Sequence, residues 1–96
     1  MVMKKAQPTV EQDLECLARA AEEDRDRTYW TANWQHAEQL AWEFRNPTAK
    51  SLIENVPMVL YAINRPGARV WYAASRLQKL IDAHTEAELA ALFRAA

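Results

Sequence analysis

Hydrophobic positions along this chain fall at helical spacing almost everywhere, and the exception is one long apolar stretch beyond its middle. Val10, Leu14, Leu17 and Ala21 form a single stripe at that spacing. Thr9 and Gln12 stand in capping-box relation ahead of it, and Glu11 and Asp13 suit the positive end of a helix dipole. A first helix opening at Thr9 is expected, with residues 1–8 as a flexible tail and 9–96 as a single domain. Glu22–Arg27 contains no apolar residue, so a short break is expected there.

A second helix is marked more strongly. Trp30, Trp34, Ala37, Ala41 and Phe44 fall within about 80° of arc at ~100° per residue, and Tyr29 and Leu40 widen that stripe. Arg45 suits the negative end of the dipole, and Asn46-Pro47 stops the helix. The first two helices should pair antiparallel. Ser51 and Glu54 repeat the capping-box spacing, with Leu52, Ile53 and Val56 on one side. One or two further turns are expected there, stopping before Pro57.

Two readings compete for the apolar stretch. In the first, 58–63 and 68–73 are strands of a β-hairpin, because Pro66-Gly67 suits the two central positions of a type II turn and the flanks are rich in β-branched and aromatic residues. Its core face would be Val59, Tyr61, Ile63, Val70 and Tyr72. In the second, Leu52, Val56, Val59, Leu60 and Ile63 form one helical stripe and Val70, Ala74, Leu77 and Ile81 another. Pro57 argues against the helical reading, because a proline inside a helix costs about 3 kcal/mol. The hairpin is the leading expectation. The chain then reads as α+β, mostly helical: an antiparallel helix pair, one hairpin and two C-terminal helices. An all-α bundle of five short helices is the alternative. Of the C-terminal helices, one is capped by Ser75 and Gln78, and the other by Thr85 and Glu88 with Leu89, Leu92 and Phe93 inward.

Charge changes the picture little. The net charge of −1 gives no general pull toward nucleic acid or an anionic membrane. Residues 1–46 hold six Lys/Arg against nine Asp/Glu, and residues 47–96 six against four, so the first half is mildly acidic and the second mildly basic. The longest apolar run, Val56–Ile63, is far shorter than the ~20 residues of a membrane span. Met1–Pro8 lacks the apolar core of a secretory signal. The single cysteine, Cys16, fits a reducing compartment. A cytoplasmic protein is expected. Abundant Ala and more Arg than Lys fit a bacterial or mobile-element origin by association only.

Catalytic chemistry finds little footing. Cys16 points about 200° around the first helix from Leu14 at ~100° per residue, toward acidic neighbours that disfavour a thiolate. His36 and His84 belong to no metal-binding spacing, and the single glycine, Gly67, precludes a Gly-rich phosphate cradle. No enzyme, metal or cofactor is expected.

Aromatic residues offer more. Trp42 lies about 120° from Trp30 at ~100° per residue, away from the apolar stripe, and Trp71 has a similar standing on the hairpin. Aromatic anchors dominate many interfaces. The leading expectation is therefore a non-enzymatic protein–protein interaction module, a small regulator, adaptor or inhibitor. Trp42, Leu60, Arg69 and Trp71 are its contact residues. The partner is another protein or a second copy paired through the hairpin edge, since an isolated hairpin leaves unpaired backbone groups. The alternative is a nucleic-acid-binding accessory protein, with Arg65, Arg69, Arg76 and Lys79 on phosphates and the neighbouring aromatics on bases.

Overall fold

The structure, a computed structural model, describes residues 8–23, 37–63 and 65–93. Among these residues the fold is all-α and contains no strand. Its helices are α1 (Val10–Glu23), α2 (Ala37–Arg45), α3 (Ala49–Ala62), α4 (Arg69–Asp82) and α5 (Glu86–Leu92). The expected hairpin is not formed. Residues 58–62 are the last turns of α3, and 69–73 open α4.

Burial explains why the helix prevails. Leu52, Val56, Val59 and Ile63 all enter the core, a spacing only a helix can direct to one side. Full burial of such side chains stabilises by about 1.5–3 kcal/mol each, which together exceeds the proline penalty. Pro57 lies on the solvent side of α3. Tyr61, assigned to the hairpin core, is 94% exposed.

The turn itself is present but joins different elements. Ala68 N–H donates to the Arg65 carbonyl at 3.1 Å, closing a β-turn around Pro66 and Gly67. Gly67 has φ +91°, the left-handed value that a type II turn demands at that position. It connects two helices instead of two strands.

Helix starts follow capping chemistry. The Thr9 amide donates to Gln12 Oε1 at 2.8 Å, and the Gln12 amide donates to Thr9 Oγ1 at 3.1 Å. Thr85 and Glu88 form the same reciprocal pair at α5, and the hydrogen bonds from Thr85 hold the Glu88 carboxyl below its ordinary range. Ser51 is not a cap. It serves as the third residue of α3 and bonds back to Thr48, the residue that caps the helix immediately after Asn46-Pro47. Ser75 lies inside α4, which begins six residues earlier with Ala68 as a cap lacking a side-chain bond.

α1 packs on α2 and α4, α4 packs on α3, and α5 lies against α3. Phe44, Leu17, Leu52, Leu77 and Leu89 fill the interior. Ala18, Ala21, Ala41, Ala73 and Ala74 are buried with them, and small side chains at contacts permit close helix approach. Of the three residues expected inward on α5, Leu89 is buried and Phe93 half-buried, while Leu92 is exposed. Tyr29, Trp30, Trp34 and His36 lie outside the described residues.

Substituting Pro57→Ala restores a backbone donor within α3 and should stabilise the fold by about 1–3 kcal/mol. Urea denaturation monitored by circular dichroism measures this change. A loss of stability would contradict the helical placement of Pro57.

Candidate functional site

Two regions carry the chemistry of the described surface. The first is an open groove of about 1050 Å³ between α1 and the first half of α4, where Gln12, Asp13, Cys16, Arg69 and Arg76 meet. Asp13, read from sequence as a dipole residue, is buried there. Its carboxylate accepts from Arg76 Nη2 at 2.8 Å and from Arg76 Nε at 3.0 Å. Bidentate geometry of this kind holds two helices in a fixed register. The carboxylate raises the Arg76 pKa further, chiefly through its hydrogen bonds.

Cys16 is half-buried and packs against the core. Burial pushes its thiol up, and Asp13 adds to that shift while Arg69 and Arg76 oppose it. Such a thiol is a poor nucleophile at neutral pH. His84 Nδ1 lies 2.7 Å from the Leu80 carbonyl at the end of α4, a position that finishes the helix. Among the described residues, no three His, Cys, Asp or Glu side chains gather as a metal site.

A second clamp joins α1 to α2. Arg45 donates to both oxygens of Glu15 at 3.1 and 3.0 Å and to Glu22 at 2.7 Å. Those hydrogen bonds hold the Glu15 and Glu22 carboxyls below the ordinary range and raise Arg45. All three groups face water, so the clamp orients the helices more than it stabilises them.

The second region is the outer side of α3. Ile53, Met58 and Tyr61 are all exposed there, with Lys50, Glu54 and Pro57 between them. The inner side of the same helix is buried, so α3 carries apolar groups on both sides, with Lys50 and Glu54 among the outer ones. Sequence reading missed this surface because it assigned Tyr61 to a core face and Ile53 to the buried side of a short helix. The usable signal was the continuous apolar run Val56–Ile63, whose residues fall on more sides of a helix than one core contact covers.

The contact residues expected from sequence lie on three helices, α2, α3 and α4. Trp42 is 58% exposed on the outer side of α2. Leu60 on α3 and Trp71 on α4 are half-buried and pack against the core. The Trp71 ring meets the exposed Tyr72 edge-on, with centroids 5.2 Å apart. Arg69 is exposed at the groove. Of the four cations considered for nucleic acid, Arg65, Arg69 and Lys79 are exposed, while Arg76 is bonded to Asp13.

The Asp13–Arg76 pair makes an asymmetric prediction. The Asp13 side chain is 6% exposed and that of Arg76 35%, so removing the arginine strands a buried carboxylate, whereas removing the carboxylate leaves a cation that water still reaches. Arg76→Met should destabilise by about 2–4 kcal/mol and Asp13→Asn by about 1–2 kcal/mol. Equal losses in urea titrations would contradict this burial.

No family model, curated protein or solved structure matches the chain.

Proposed function

We propose that this chain is a non-enzymatic protein–protein interaction module, a small cytoplasmic regulator, adaptor or inhibitor, and that it docks through the outer side of α3. The observation that carries this reading is the exposed group Ile53, Met58 and Tyr61 on a helix whose opposite side already forms part of the core. An exposed tyrosine beside aliphatic groups supplies apolar area and a hydroxyl donor at low entropic cost. Trp42 and Tyr72 offer further exposed aromatic area on α2 and α4.

The nucleic-acid alternative has thinner support. Arg76 is engaged with Asp13, which leaves Arg65, Arg69 and Lys79, and three cations provide a weak phosphate footprint. No helix among the described residues is long and apolar enough to cross a membrane.

A photo-reactive phenylalanine analogue placed at Tyr61 in the producing cell tests the docking surface. Protein adducts should form from position 61 and not from a control at Glu11, an exposed position on α1. Absence of any adduct from position 61 would overturn the reading.

A further inference from the structure

We infer that α5 is a detachable strap: it opens from α3 while α1 to α4 stay folded, and when closed it shuts the seat of Leu89 on α3. This goes beyond the docking reading and does not depend on it. Burial sets α5 apart first. α1 buries six residues and α4 four, whereas α5 buries one, Leu89. Leu89 is 1% exposed, yet it does not join the core cluster in which Leu17, Phe44, Leu52 and Leu77 meet. Phe93, half-buried just beyond α5, is a second hold at the edge of that core. The seven residues of α5 are too few to stay helical alone in water, so once Leu89 leaves α3 the segment loses its helix as well.

The junction with α4 lets this happen without damage to α4. At the end of α4 the Ala83 amide donates to the Lys79 carbonyl at 3.0 Å and the His84 amide to the Ile81 carbonyl at 3.3 Å. His84 Nδ1 adds its contact with the Leu80 carbonyl. α5 starts afresh: the Leu89 amide donates to the Thr85 carbonyl at 2.9 Å, and Thr85 and Glu88 exchange their cap bonds. Each set of bonds stays on its own side of the His84–Thr85 peptide, so a change of backbone angle there breaks neither. Cross-ties are missing too. Asp13–Arg76 joins α1 to α4 and Arg45 joins α1 to α2. Among the described residues, no side-chain hydrogen bond or ion pair links α5 to another helix.

A helix with few buried contacts and no cross-ties opens by itself at a free energy below that of global unfolding. The open state bares the seat of Leu89 on α3, which is separate from the exposed outer group Ile53, Met58 and Tyr61. An apolar side chain of a partner reaches that seat only while α5 is away. The strap therefore sets access to it.

Amide hydrogen exchange of the full chain, followed by NMR at low urea, tests this. The α5 amides from Leu89 to Leu92 should open at least about tenfold more often than those of Val56 in α3 and Leu77 in α4. Thr85→Ala removes an exposed cap and should raise α5 opening about 2–30-fold, with Val56 and Leu77 unchanged. Asp13→Asn, which weakens the clamp between α1 and α4, should do the reverse: faster exchange at Val56 and Leu77, with α5 unchanged. Equal protection of α5 and the core would overturn the inference. So would an effect of either substitution shared equally by all these amides.

Discussion

Everything in this fold turns on the side of α3 that Pro57 occupies. A proline inside a helix removes one hydrogen bond and crowds the preceding turn. Here the affected carbonyl belongs to Ile53, and the proline lies on the solvent side. Water can reach that side, so the released acceptor is not stranded in an apolar interior. The opposite side sends Leu52, Val56 and Val59 into the core. Rotating the helix by half a turn would bury the defect and expose the valines, and no packing could compensate for both.

With α3 fixed, the rest of the bundle has limited freedom. Pro66-Gly67 turns the chain directly into α4, and Gly67 supplies the positive φ that an L side chain would resist. α4 presents Val70, Ala73, Ala74 and Leu77 inward. Arg76 lies at the margin of that inner face, where it meets Asp13 of α1. That ion pair sets the register between the first and fourth helices, and Arg45 ties α2 to α1 from the other side. Buried alanines bring the helices close where bulkier residues would hold them apart.

Local chemistry was legible only in part, since Ser51 and Ser75, at capping-box spacing, lie inside helices. The reciprocal Thr9–Gln12 and Thr85–Glu88 caps form as their spacing indicates, and Pro66-Gly67 makes the turn its residues favour. What failed was the choice between elements of different period. Val59, Tyr61 and Ile63 alternate like a strand, while Val56, Val59 and Ile63 also repeat like a helix. Only the tertiary fact that Tyr61 faces water distinguishes them. Proline was weighted as though every helical position cost the same. Asp13 does stand in the first turn of α1, but its ion pair could not be read locally. A carboxylate in a first helical turn suits the dipole wherever it points, and its true partner lies 63 residues away. The angle of Trp42 set it off the apolar stripe without deciding its exposure, which is 58%, whereas the outer α3 face was hidden by the hairpin assignment.

Backbone conformation from Val56 to Ile63 is the most direct measurement of this scheme. NMR carbon shifts together with amide and α-proton contacts three residues apart should report continuous helix across Pro57, with the Tyr61 ring open to a soluble paramagnetic probe and the Val59 methyls protected from it. Extended shifts over 58–63, with cross-strand contacts to 68–73 and a protected Tyr61 ring, would contradict it.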